Sequence, residues 1–161
     1  MRQNQNLRIP NLALLAVPAL YAMTALLLSI VQRGVRFDDP FITYRYAVNL
    51  AAGRGFVFNF GEATLITTAP LYALLLAVFE WLGVAAHVVS PIIGEAALAV
   101  GGWALWELGR RRNATAAFMA GWFFVAAPLM WLTIGFETPL FLAVSLLCCC
   151  MRCGVNAARI R

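Results

Sequence analysis

The stretch that decides the fold is LALLAVPALYAMTALLLSIV, residues 12–31, which carries no charged side chain. A helix of this length is about 30 Å long, which matches the hydrocarbon core of a bilayer. Pro18 lies near its middle and predicts a kink. Two adjacent carboxylates, Asp38 and Asp39, follow shortly after the run. We therefore expect them to emerge at a membrane interface.

Composition extends this prediction to the whole chain. The sequence is 63% hydrophobic and 12% charged, whereas about 25% of residues are charged in an ordinary soluble domain. Residues 70–82 would form only about 20 Å of helix, which is typical of a half-inserted segment. The alternative is a complete crossing by residues 63–82, which would place Arg110–Arg112 outside. We predict a single all-α integral membrane module over 1–161, with about four transmembrane helices. The predicted spans are 12–31, 88–108, 114–134 and 135–151.

Basic residues predict the orientation of these spans. All twelve are arginines, and eight of them lie before the first span, at Arg110–Arg112 and at the end of the chain, with the other four in residues 32–68. Such clusters normally stay cytoplasmic, which places Asp38, Asp39 and Glu137 together on the outer side. No soluble basic domain is predicted, so we expect no nucleic-acid partner.

Two features of the apolar segments have competing interpretations. Four cysteines, Cys148, Cys149, Cys150 and Cys153, lie too close together for the usual spacing of zinc ligands. They fit small apolar helix residues, and palmitoylation at the inner face is the alternative. Glu95 lies in the middle of a predicted span, where it is either functional or a protonated or hydrogen-bonded packing residue.

Residues 32–68 form the only extended polar region and are predicted to be an outer loop. Asp39 is a candidate N-cap, Pro40 suits the first helical position, and Gly53 would end a helix of about thirteen residues. We expect this amphipathic helix to lie on the bilayer surface. Its polar stripe would face a cavity or water, with an apolar stripe beside it. The polar stripe comprises Asp38, Ile42, Arg45 and Asn49, and the apolar one Phe41, Tyr44, Val48 and Ala51.

The next segment, GRGFVFNFGE at residues 53–62, alternates glycines with aromatic residues. This pattern indicates a turn-rich, strand-like connection. Its G-x-G does not open a helix after a strand, which argues against a dinucleotide-binding loop.

Several of these motifs together resemble one family. FDDPFITYRYA at 37–47, the GRGFVFNFGE segment, TAPL at 68–71 and GFETPL at 135–140 are similar to polytopic GT-C glycosyltransferases. The closest likeness is to bacterial members of the mannosyl- and arabinosyltransferase branches. Phe60 departs from this pattern, which often has proline there. The resemblance covers the chain as the N-terminal part of such an enzyme, and it implies that further C-terminal spans or a partner chain are needed.

The resemblance also implies a substrate and a location. These enzymes use polyprenyl-phosphate sugars at the outer face of the bacterial inner membrane. Asp38 would be the leading catalytic acid, and Asp39 its partner or a metal ligand, which makes a divalent metal a candidate cofactor. Glu62 and Glu137 are further candidate substrate-binding residues.

Elementary chemistry points to the same loop residues. Glycosyl transfer to a hydroxyl needs a carboxylate to accept the proton, and the leaving phosphate needs a positive charge. Asp38 could supply the first, and Arg45 or Arg54 the second. The structural alternatives are N-capping for Asp39 and an ion pair with Asp38 for Arg45.

Other functions fit the same residues. A non-enzymatic transporter or scaffold could bind a polyprenyl phosphate without transferring its sugar, and a truncated product could be inactive. Glycoside hydrolysis by two carboxylates is disfavoured because the implied donor is a lipid.

Overall fold

A computed structural model describes residues 11–31, 38–59, 61 and 65–159, with side chains described for residues 15–152 of these ranges. All regular elements in this part of the chain are helices, which confirms the all-α prediction. The helices are α1 (Asn11–Val31), α2 (Asp39–Ala51), α3 (Pro70–Trp81), α4 (Ala86–Gly109), α5 (Ala114–Ala126), α6 (Pro128–Leu132) and α7 (Thr138–Arg159).

The long helix α4 is the centre of the bundle and contacts α1, α5 and α7. Gly109 at its end faces Ala117 near the start of α5, and Gly94 near its start faces Ile134, which follows α6. Helix α4 and the α5–α6 pair are therefore antiparallel.

Helix α7 runs in the same direction as α4. The Ser90 hydroxyl donates to the carbonyl oxygen of Gly135, just before α7 begins, at 2.7 Å. Further along, the Cys150 thiol donates to the carbonyl oxygen of Ala104 at 3.3 Å. The start of α7 therefore lies at the opposite end of the bundle from Arg110–Arg112, which follow the end of α4.

Small residues bring α1, α4 and α5 into close contact. A Cβ on Gly121 would lie 2.5 Å from the backbone oxygen of Gly102 and 2.5 Å from the hydroxyl oxygen of Tyr21. The Tyr21 hydroxyl donates to the carbonyl oxygen of Phe118 at 2.9 Å. Only glycine at position 121 allows the tyrosine ring and the two backbones to meet, as is common between helices packed in lipid.

Large apolar side chains cover the outside of the bundle. Leu71 is 81% exposed, Phe123 74% and Phe141 69%, whereas soluble monomers rarely expose contiguous apolar surface on this scale. Two segments, Ala86–Gly109 and Ala114–Leu132, are long and apolar enough to cross a membrane. Shorter apolar helical stretches are Leu15–Val31, Pro70–Trp81 and Thr138–Arg152.

Two predicted spans differ in detail from the helices. The predicted span 114–134 is broken at Ala127, whose φ of −62° and ψ of 126° are extended, because the proline that follows disfavours the helical conformation. Helix α7 starts at Thr138 rather than at residue 135. Helix α1 continues through Pro18, as the uncharged run predicts.

Helix α2 packs on α3 and ends as predicted. Gly53, with φ +71°, donates its N–H to the Leu50 oxygen at 3.0 Å, and the Arg54 N–H donates to the Asn49 oxygen at 2.9 Å. These two bonds form a Schellman motif, which satisfies the last carbonyls of the helix. The apolar core here joins α2, α3 and α4 through Tyr44, Ala47, Tyr72, Leu76 and Val89.

Candidate functional site

Asp38 and Asp39 lie at the start of α2 and are exposed. The helix begins at Asp39, so the N-cap position belongs to Asp38, and the prediction of Asp39 as the cap was wrong. Asp38 has a helical backbone (φ −77°, ψ −29°) and its side chain makes no capping hydrogen bond, because side-chain capping usually requires an extended backbone. Among the described residues, neither carboxylate has a hydrogen bond or an ion pair. Both are therefore available to a ligand.

A groove of about 520 Å³ runs along this surface, a volume within the usual range of small-molecule sites. Helix α2 contributes one wall, the loop after it contributes a second, and the end of α3 with the start of α4 contributes the third. The lining residues are Asp38, Phe41, Ile42, Tyr44, Arg45, Val48, Phe58, Asn59, Glu80 and His87.

The predicted division of α2 into stripes is only partly correct. Asp38, Ile42 and Arg45 line the groove, as the polar stripe predicts. Asn49 was expected to face a cavity or water, but it is only 4% exposed. Phe41 and Val48, expected in the apolar stripe, also line the groove. The groove therefore takes residues from both predicted stripes, and the buried face of the helix, which includes Thr43 and Ala47, lies on the opposite side.

The loop after α2 explains the burial of Asn49. Its side-chain amide donates to the carbonyl oxygens of Val57 at 2.8 Å and Phe58 at 2.9 Å. The Arg45 Nε–H donates to the same Phe58 oxygen at 3.4 Å. The Phe56 ring packs on Tyr46 with centroids 4.8 Å apart. The loop is thus tied to α2 by turns and side-chain bonds, and its described residues form no strand, contrary to the strand-like expectation.

The candidate substrate-binding residues separate in the structure. Arg45 is exposed and lines the groove. The Arg54 Nη1 donates to Asn49 Oδ1 at 3.4 Å, and Arg54 is not part of the groove lining. Glu62 lies outside the described residues. The Arg45–Asp38 ion pair, the structural alternative for Arg45, does not occur among the described side chains, so the Arg45 Nη groups have no described partner.

The Gly135–Glu137 segment meets α2 directly. The Tyr44 hydroxyl donates to the Gly135 carbonyl oxygen at 3.1 Å, and the Ser90 hydroxyl donates to the same oxygen. Tyr72 and Ser90 hydroxyls are 2.7 Å apart, which extends the network to α3. The structure therefore brings the start of α2, with Asp38 and Asp39, and the Gly135–Glu137 segment to one end of the bundle. Glu137 itself is half-buried and does not line the groove.

Burial changes the chemistry of the two tyrosines in this network. It raises the pKa of the Tyr44 phenol and of the Tyr72 phenol above their ordinary values. Both hydroxyl groups therefore remain protonated donors well above neutral pH, and the network stays intact over the physiological range.

Two groove residues, Glu80 and His87, were not identified by the sequence analysis. The Glu80 carboxylate accepts the N–H of Ala86, the first residue of α4, at 2.6 Å. Gly83, with φ +84°, turns the chain so that the start of α4 lies beside the end of α3. A glycine between an apolar helix and a second helix start was the available signal.

The side chains near Asp38 and Asp39 give no further support to the predicted metal site. In the part of the chain that the structure describes, no group of three or more His, Cys, Asp or Glu side chains could hold a cation. Asp38 and Asp39 alone are an incomplete ligand set for a divalent ion. Asp39 as a metal ligand stays a prediction, and no chemical step below depends on it.

Glu95, the other acid considered in the sequence, belongs to a different contact. Its carboxylate accepts a hydrogen bond from the Ser29 hydroxyl, which links α4 to α1. This agrees with the hydrogen-bonded packing interpretation.

Comparison of the chain with protein-family models, with curated proteins and with solved structures finds no match.

Proposed function

We propose that this chain is the N-terminal membrane module of a GT-C-type glycosyltransferase. It would transfer a sugar from a polyprenyl-phosphate donor to an acceptor hydroxyl in the groove beside α2. The observation that carries the proposal is the pair of Asp38 and Arg45 in one groove, each with polar atoms that no described residue engages.

The two side chains suit the two ends of the reaction. The acceptor oxygen forms a bond to the anomeric carbon while the bond from that carbon to the phosphate oxygen breaks. Asp38 accepts the proton of the acceptor hydroxyl as the bond forms. Arg45 pairs with the departing phosphate through its Nη groups. The two residues are seven positions apart, about 10 Å along a helix axis, which leaves room for a sugar between the base and the phosphate contact.

The groove's apolar lining also fits a sugar. Phe41 and Phe58 line it beside the polar groups, and aromatic rings can pack against the C–H faces of a pyranose or furanose. Asn59 and Asp38 carry acceptors for hydroxyl groups. A site that combines aromatic rings, a carboxylate and a cation suits a ligand that has an apolar face, hydroxyl groups and a phosphate.

The proposal includes four membrane crossings, by α1, α4, α5 with α6, and α7. The antiparallel contacts and the exposed apolar surface support it. Arg110–Arg112 would be cytoplasmic, and the groove would lie at the outer face of a bacterial inner membrane. Helix α3 has twelve residues, which favours half-insertion over a crossing. Its exposed Leu71 and Trp81 suit contact with lipid or with further spans or a partner chain, which would complete the donor site.

The test is sugar transfer by the protein isolated from its own cells with any partners that copurify. Labelled polyprenyl-phosphate sugars are the donors, and a cell-envelope lipid extract supplies the acceptors. Asp38→Asn should reduce transfer by about 10² to 10⁴, because the base is lost while the shape is kept. Arg45→Ala should weaken donor binding, since a charge-assisted phosphate contact is removed.

Two controls make the result decisive. Arg111→Gln removes an exposed arginine at the other end of the bundle and should leave transfer unchanged. Asp39→Asn keeps the start of α2, so a large loss of transfer there would assign the second acid a chemical role as well. Near-normal turnover by a folded Asp38→Asn protein would refute the base assignment and direct the search to Asp39 or Glu137. Donor binding by the wild type without any transfer would favour a transporter or scaffold.

A further inference from the structure

We infer that His87 binds the phosphate of the donor by donating a hydrogen bond from its imidazole, from the wall of the groove formed by α3 and α4. This inference rests on the proposed function and adds a second phosphate-binding residue to Arg45, which reaches the groove from α2. Neither the loop motifs nor the spacing of charges in the sequence pointed to His87.

The position of His87 is fixed by its neighbours. It is the second residue of α4, and two residues of the same turn are buried: Ala86, directly before it, is 1% exposed, and Val89, two positions after it, is 7% exposed. The Glu80 carboxylate holds the first turn by accepting the Ala86 N–H. The imidazole itself is exposed and lines the groove. A rigid turn therefore presents a ligand-accessible side chain.

The polar groups around His87 leave a defined set of partners for a ligand. The other titratable side chains in the groove lining are Asp38, Tyr44 and Arg45 from α2 and Glu80 from α3; Glu137, next to α7, lies outside it. Glu80 is already bonded to the start of α4, and the Tyr44 hydroxyl is bonded to a backbone oxygen. Among the described groove residues, this leaves the Asp38 carboxylate, the Arg45 Nη groups and the His87 imidazole for a ligand. A phosphate between Arg45 and His87, with a hydroxyl at Asp38, satisfies all three.

His87 transfers no proton in this scheme. The acceptor proton goes to Asp38 and the electron pair of the broken bond stays on the phosphate oxygen, as described above. The imidazole donates an N–H to a phosphate oxygen before and after transfer. The effect of His87 therefore belongs to donor binding, which can be measured without an acceptor.

The probe is farnesyl methyl phosphate, a phosphodiester with a single negative charge. Its dissociation constant is measured by isothermal titration calorimetry, with the protein isolated in detergent micelles together with any partners that copurify. The chain has one histidine, so a substitution at position 87 removes its only imidazole. Loss of the hydrogen bond from His87 to the phosphate should weaken binding by about tenfold.

Two substitutions of the same residue isolate its hydrogen bond. His87→Ala should bind the probe about tenfold more weakly than the wild type. His87→Gln, whose amide can also donate, should lose less affinity, and Arg111→Gln should behave as wild type. If His87→Ala keeps wild-type affinity, the inference is overturned while the proposed function stands on the Asp38 assay. If the wild type does not bind the probe at all but binds farnesol, both are overturned.

Discussion

Removal of the Tyr44 and Ser90 hydroxyl groups, singly and together, should show that the two donors share one acceptor. The Gly135 carbonyl oxygen accepts from Tyr44 at 3.1 Å and from Ser90 at 2.7 Å. Ser90 also lies 2.7 Å from the Tyr72 hydroxyl, which retains the Ser90 carbonyl oxygen at 3.4 Å as a second acceptor. Each single variant therefore leaves the Gly135 oxygen with one donor, and only the double variant removes both.

The expected free energies follow from this count of bonds. Tyr44→Phe loses one hydrogen bond and should lower the free energy of unfolding by about 1 kcal/mol. Ser90→Ala loses two and should lower it by about 1 to 2 kcal/mol. The double variant leaves a buried carbonyl without a described donor, which adds about 1 kcal/mol beyond the sum of the single effects.

The measurement is unfolding by SDS in mixed micelles, followed by the fluorescence of the five tryptophans. Ser145→Ala is the matched control, because the Ser145 hydroxyl donates to Phe141 in its own helix and is exposed. This control should change the unfolding free energy by less than about 0.5 kcal/mol. Strict additivity of Tyr44→Phe and Ser90→Ala would refute the shared acceptor.

Three further predictions test packing, protonation and orientation. Gly121→Ala places a Cβ 2.5 Å from a backbone oxygen of α4 and should destabilise the bundle by about 1 to 3 kcal/mol in the same SDS assay; wild-type stability would contradict the close contact. Burial raises the pKa of the Tyr72 phenol above the value of about 10 that it has in the unfolded chain. The protonated phenol therefore contributes fully to stability below about pH 10, and this contribution is lost as the pH rises above that value. The unfolding free energy should therefore fall from pH 9.5 to 11.5 in the wild type and fall less in Tyr72→Phe, and equal slopes would count against this role. In a cysteine-free background, a cysteine replacing Arg111 should react with a membrane-impermeant maleimide only from inside and one replacing Ala52 only from outside; the reverse pattern would overturn the proposed orientation.

Local signals predicted helix α2 well and its surroundings poorly. Pro40 and Gly53 act on their own backbone, so they set the limits of the helix to within one residue. Asn49 was placed on the wrong face because its burial depends on where the loop folds back, and no periodicity within α2 encodes that. The same limitation hid Glu80 and His87, which join the groove only when α3 packs on α2.

The apolar segments show a similar division. Their hydrophobicity predicted most helix positions, since a helix satisfies all backbone hydrogen bonds within a long uncharged segment. Pro128 was present in the sequence, but the apolar run around it concealed the break between α5 and α6. The contact between Gly121 and Tyr21 depends on the relative rotation of three helices, which a single sequence does not specify.

Asn49 also bears on the order in which the groove assembles. Its amide bonds reach residues only 8 and 9 positions further along the chain. Such local contacts close at a small entropic cost and form rapidly. The loop can therefore close on α2 during synthesis, before α3 and α4 have emerged from the ribosome. Two walls of the groove would then be in place first, and the wall that carries His87 would dock onto them as the last step.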